Sequence, residues 1–219
     1  MKLSVLLSVF ASVAIIGTAG SITVGVNNNG NYFPFGQPAS GYAGTVYQEA
    51  YSSTLFSGSM TITGIDFFRA SSSGSLNAGT YQLSLSTITA DVNSLSDSNF
   101  NGNLGADNTV VETIALSGAP PSTLTFVFTT PFSYNPANGN LLLDIRISGG
   151  SSSVTGAAYQ DGSGTGPSTI ARYHNFGTNT TGWGLVTEFD FVTTSTPEPS
   201  ALILFGSGLG LLAIRRRRF

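Results

Sequence analysis

The chain has 219 residues, a formal net charge of −3, one histidine, no cysteine and only 9% charged residues. That inventory excludes a disulfide framework, a cysteine-ligated metal centre and a multi-histidine one. The basic residues lie mostly at the ends, as Lys2 and as Arg215, Arg216, Arg217 and Arg218. The interior therefore keeps three arginines and no lysine against ten acids, about −7, and offers nucleic acid no basic footprint.

Taken in chain order, Met1-Lys2 is a minimal positive n-region and Leu3 to Ile16 an apolar run broken only by Ser4, Ser8 and Ser12. Gly17-Thr18-Ala19 places small residues where a signal peptidase reads them, so residues 1–19 are expected to be a signal peptide cleaved after Ala19. Residues 20–192 are then one exported domain, long enough to stabilise itself through its core without disulfides.

This body reads as all-β. Ser, Thr, Gly, Asn, Val, Ile and Phe dominate, and the period of a surface helix is absent. The clearest strands are Thr80–Leu85, Thr123–Phe128, Leu141–Ile147 and Leu185–Val192, with further candidates at Ile22–Val26, Thr45–Tyr51, Met60–Phe68, Val110–Leu116, Val154–Gln160 and Thr169–His174. Leu141, Leu143, Ile145 and Ile147 alternate with Asp144 and Arg146, which predicts a strand with one wet face. Asn138-Gly139 predicts a type I′ hairpin turn, and Ser71–Gly74, Ser148–Ser153 and Asp161–Pro167 read as loop tips. About ten short strands joined by Gly-rich connections point to a single β-sandwich of jelly-roll-like type.

Chemistry-bearing patterns are sparse. No Gly-x-Ser-x-Gly elbow accompanies His174, the only histidine, which leaves a hydrolase triad without a nucleophile. Glu188 and Asp190 share one face of a predicted strand; a glycoside hydrolase would need such a pair across a cleft, whereas a solvated face needs only solubility. Asp97-Ser98-Asn99-Phe100-Asn101-Gly102 matches the first half of a calcium loop, but position twelve is Asn108 and Asp107 would have to substitute. Asp97, Asn99, Asn101 and Asp107 are therefore the candidate Ca²⁺ ligands, and no other cofactor is expected. Tyr32, Phe33, Phe35 and Trp183 are candidate stacking rings for a glycan.

From residue 193 a short polar linker, 193–196, leads to a distinctive tail at 197–219: Pro197-Glu198-Pro199, an apolar run from Ala201 to Ile214, and the cluster Arg215-Arg216-Arg217-Arg218. As a helix the run would rise about 21 Å, short for a hydrocarbon core of roughly 30 Å unless the arginine stems extend it. Arg215, Arg216, Arg217 and Arg218 should stay cytoplasmic, which makes this a short transmembrane stop segment with the body outside.

Pro-Glu-Pro, a Gly/Leu-rich hydrophobic helix and a terminal arginine cluster, in that order, resemble the PEP-CTERM sorting signal of Gram-negative bacteria. The resemblance implies an exosortase-type enzyme that reads Pro197, Glu198 and Pro199, removes the tail, and passes the body from the inner membrane to the cell surface or extracellular matrix. It also implies an association with exopolysaccharide and biofilm. The expectation is thus a non-enzymatic exported surface protein. A lectin-like glycan-binding module is the alternative, and a glycoside hydrolase or a calcium-binding adhesin stands further off.

Overall fold

The computed structural model describes residues 17–36, 44–71, 73–151, 156–163, 169–175 and 180–194. Its strands are β1 (Gly17–Val24), β2 (Asn29–Asn31), β3 (Val46–Tyr51), β4 (Met60–Phe68), β5 (Leu76–Ile88), β6 (Thr109–Gly118), β7 (Thr123–Tyr134), β8 (Asn140–Ser151), β9 (Tyr159–Ser163), β10 (Ile170–His174), β11 (Thr180–Thr181), β12 (Trp183–Leu185) and β13 (Thr187–Thr194). β4 shows the rule that builds the others. Ile62, Ile65 and Phe67 are buried on one side while Thr61 and Asp66 stay half-exposed on the other, with a bulge between Ile62 and Gly64 adjusting the register against β7.

Three sheets result: β1-β13-β4-β7, β11-β10-β3-β8-β5-β6, and the small sheet β12-β9-β2. The chain passes between the first two at β3/β4, β4/β5, β6/β7 and β7/β8, as a jelly-roll-like sandwich does. β6 and β7 are the edge strands of their sheets and are tied across the corner, where the Thr129 N–H donates to Glu112 at 3.0 Å and the Thr129 hydroxyl to the Val111 carbonyl at 3.2 Å. β13 lies between β1 and β4. The Thr23 hydroxyl donates to Glu188 at 2.8 Å, and a Cβ at Gly20 would meet the Phe191 ring at 3.0 Å, so β1 and β13 run antiparallel.

The main core fills the space between the two large sheets. Phe35 is its hub, with ring centroids 5.0 Å from Phe67, 5.2 Å from Tyr159 and 5.9 Å from both Tyr81 and Phe126. Burying such a ring is worth about 1.5–3 kcal/mol. A second, smaller cluster of Val92, Leu95, Leu142, Ala171 and Tyr173, with Phe100 and Leu104 against it, packs on the other side of the six-stranded sheet.

That cluster corrects one expectation. Asp144 was to face water, yet it is buried, because the 91–107 segment folds over this face and Gln48 Nε2 donates to Asp144 at 2.7 Å. Arg146 closes the group by pairing with Asp144 at 2.7 Å. Asn138-Gly139 is not a type I′ turn either, since among the described residues only glycines have positive φ. Asn135 instead caps a 3-10 turn at Pro136–Asn138, Gly139 follows at φ 146°, and the chain crosses to the other sheet. A Cβ on Gly139 would sit 2.3 Å from the Ile88 carbonyl oxygen, so backbone approach also requires glycine there.

The expected loop tips at Ser148–Ser153 and Asp161–Pro167 are partly strand, because β8 pairs as far as Ser151 and β9 as far as Ser163. The expected linker 193–196 is shorter, because the β-branched Thr193-Thr194 continue β13. β1 begins at Gly17, ahead of the expected cleavage point.

Candidate functional site

A groove of about 470 Å³ opens beside β2, lined by Asn27, Asn28, Asn29, Gly30, Tyr32, Ala70, Ser71 and Ala158. Its floor is built from small residues: a Cβ on Gly30 would approach the Cβ atoms of Ala70 and Ala158 to 3.3 Å each. The Ala70 N–H donates to the Ala158 carbonyl at 2.8 Å and holds the floor together. The asparagine run is exposed and forms one wall, while Tyr32 stands at the end with 46% of its surface exposed.

Tyr32 points outward because its neighbours point inward. Phe33 and Phe35 are buried in the core, Phe33 packing 4.8 Å from the His174 ring. The Phe33 N–H donates to Asn31 Oδ1 at 3.0 Å, and the Gly36 N–H to the Tyr32 carbonyl at 2.6 Å, which closes the turn around the ring. The backbone at Tyr32 is thus fixed from both sides before any ligand arrives.

Beneath the groove, β9 holds β2 in register through Asn29 opposite Asp161, Gly30 opposite Gln160 and Asn31 opposite Tyr159. β9 is in turn bound to the large sheet by a buried polar cluster. Arg172 on β10 donates from Nη1 to Asp161 Oδ1. Glu49, opposite Arg172 on β3, accepts the Tyr47 hydroxyl at 2.6 Å and the Leu185 N–H at 3.1 Å, both at Oε2. Tyr51 and Thr187 share a hydrogen bond of 2.9 Å beside it.

Glu49 Oε1 and Arg172 Nε have no hydrogen-bond partner among the described residues. Burial pushes the Glu49 carboxyl up to about 8, overriding the Tyr47 hydrogen bond that works the other way. Burial also raises Asp161, against the pull of Arg172. The cluster is sealed within the protein, and its place in the fold is to seat β9 and β12 and, through β9, the asparagine wall.

The sequence-predicted site residues scatter. Of the candidate stacking rings only Tyr32 is at the groove. Phe33 and Phe35 cannot meet a sugar because the core encloses them. Trp183 is half-buried on β12, separated from β2 by β9. The residues that line the groove most fully, Asn27 to Gly30, carry no hydrophobic rhythm; three amides in a row beside a glycine were the available signal.

Glu188 and Asp190 lie on the outer side of the four-stranded sheet, with Asp66 opposite Glu188 on β4, and they line neither the groove beside β2 nor the one beside the 91–107 segment. Burial, then the charges of Asp66 and Glu188, raise the Asp190 pKa. Glu188, Asp190 and Asp66 are half-buried together on this face, and Asp66 Oδ1 is buried without a hydrogen-bond partner among the described residues.

In the suspected calcium loop, Asn99 Oδ1 accepts the Gly102 N–H at 3.1 Å and caps the 3-10 turn Phe100–Asn103, while Asp107 Oδ1 accepts the Thr87 N–H at 2.7 Å. Asp97 and Asn101 are exposed. Two of the four side chains thus serve the backbone, and no group of three or more acidic, histidine or cysteine side chains is placed for a metal among the described residues. The second groove, about 600 Å³, lies beside this segment, between the end of β5 and Ser94 to Ala106.

The expected sorting residues Pro197, Glu198 and Pro199, the apolar run, and the expected orienting cluster of Arg215, Arg216, Arg217 and Arg218 lie outside the described residues, as does the signal-peptide segment up to residue 16. Among the described residues no helix is long and apolar enough to cross a membrane. Residues 195–218 match the PEP-CTERM protein-sorting motif, a span that takes in Pro197, Glu198 and Pro199 and all four of Arg215, Arg216, Arg217 and Arg218, and agrees with the resemblance read from the tail. The chain therefore carries the signal of an exported, membrane-processed surface protein handled by an exosortase. No match to the chain is found among curated proteins.

Proposed function

We propose that the chain is a non-enzymatic structural protein of the cell surface or extracellular matrix of a Gram-negative bacterium, retained there with exopolysaccharide in a biofilm. The observation that carries this reading is the join between body and signal. β13 ends at Thr194, the sorting-motif match begins at residue 195, and only Ser195 and Thr196 precede Pro197. The β-sandwich is therefore the cargo. Two further facts support the reading: the acid pair Glu188 and Asp190 lines neither groove, and among the described residues the groove beside β2 is lined by amides, small residues, a serine and a tyrosine, with no acid-base pair.

The test is to fractionate producing cells into inner membrane, surface and polysaccharide matrix, and to weigh the intact protein from each. Wild type should appear in the matrix without residues 201–219, and digestion of the polysaccharide should release it. With Pro197, Glu198 and Pro199 replaced together by alanine, the precursor should stay in the inner membrane. Matrix delivery unaffected by that replacement, or a full-length chain recovered from the matrix, would sink the proposal.

A further inference from the structure

We propose that the Asn27–Tyr32 groove binds an uncharged polysaccharide, seating one sugar ring against Tyr32 and meeting its hydroxyls with the asparagine amides and Ser71. Such a site would supply the matrix association described above, and it rests on that reading for where the ligand is found.

Charge decides the class. Among the described residues the groove lining holds no cation and no carboxylate. Arg146 pairs with Asp144 and Arg172 with Asp161, and Arg69, whose Nη1 donates to the Pro120 carbonyl at 2.7 Å, is not among the described residues that line the groove. A uronic or sulfated glycan would meet no counter-charge here and would be repelled by a body with ten acids against three arginines. A neutral glycan needs none.

Hydrogen-bonding chemistry agrees. A sugar hydroxyl is donor and acceptor at once, and a primary amide offers both within one side chain, while the Ser71 hydroxyl, which donates to the Ser73 carbonyl at 3.3 Å, adds an acceptor. The flat apolar face of a pyranose needs an exposed ring on a backbone already in place, which Tyr32, the inward Phe33 and Phe35 and the closed Tyr32–Gly36 turn provide. Gly30, Ala70 and Ala158 keep the floor low enough for close approach, and about 470 Å³ falls within the ordinary range of small-ligand sites.

Affinity electrophoresis of the full-length chain, in a detergent without a sugar headgroup, tests this in gels carrying dextran, mannan or galactan, with alginate as the acidic control. At least one neutral polymer should retard the protein and alginate should not. Tyr32→Ala removes the ring and Ala70→Gln fills the groove; both positions are exposed, so melting should be unchanged while affinity falls about tenfold or more. Tyr32→Phe keeps the stacking face and should retain most of the retardation.

No retardation by any neutral polymer, retardation by alginate alone, or equal retardation of wild type and both groove variants would overturn the proposal. If the groove variants still partition with the matrix as wild type does, the site fails and the matrix reading stands. If wild type is retarded through the groove yet absent from the matrix, the converse holds.

Discussion

Glu49 has burial on every side, with the Tyr47 hydroxyl and the Leu185 N–H as its hydrogen-bond donors, and its pKa stands near 8 against an ordinary 4.5. Between those values the folded chain keeps a proton that the unfolded chain has released. The associated stability is complete below about 4.5 and is lost as the pH rises to about 8, on the order of a few kcal/mol at the top of the range. Arg172 eases ionisation and Asp161 opposes it. Glu49→Gln mimics the protonated form, so the variant should melt close to wild type near pH 5 and above it near pH 9. Equal slopes of melting temperature against pH for the two proteins would remove Glu49 as the cause. Gly184 packs against the same carboxyl, where a Cβ would lie 2.0 Å from Oε1, so a side chain at this position would displace Glu49.

At the scale of elements, the 91–107 segment works as a lid of packing on the outer side of the six-stranded sheet. Asn103 fastens it, with Nδ2 donating to Gln48 Oε1 and the Ser96 carbonyl and Oδ1 accepting the Ser96 N–H, all at 2.8 Å. Asn103→Ala leaves Gln48 and Ser96 short of partners and should cost about 1–3 kcal/mol. Hydrogen exchange should rise across residues 92–104 and stay unchanged in β4 and β7; uniform exchange would sink the assignment. This element also marks the limit of what alternation reveals. Met60–Phe68 and the strand around Tyr81 were legible because their apolar period of two reports burial directly, whereas Val46–Tyr51 is buried on both faces and carries no such period. Asp144 alternates with apolar residues as a wet-face residue does, and its burial comes from a distant polar segment that returns to cover it. β2 and β12 escaped notice for a related reason: three-residue strands in Asn/Gly and Trp-Gly-Leu contexts carry no period, and exist because β9 lies between them. The groove depends on that small sheet, so of its residues only Tyr32 stood out.

For the whole molecule, the strand that opens the body and the strand that closes it are neighbours, and the closing strand is the interior one. β13 has ladders to β1 on one side and β4 on the other, and the sorting signal follows directly from its end. While the tail is still in place, a chain held through that end would take any load as tension on β13. Hydrogen bonds in an antiparallel pair lie across the strand, so a lengthwise pull loads both ladders together instead of opening one bond at a time. In single-molecule pulling, force applied through a handle on the C-terminal end should give a higher rupture force than a handle at Gly118, the end of the edge strand β6, which has one partner strand. Equal forces would mean the ladders do not share the load. The sequence of attachment thus becomes a mechanical property: the point by which the chain is delivered is also the point at which its fold is clamped on two sides.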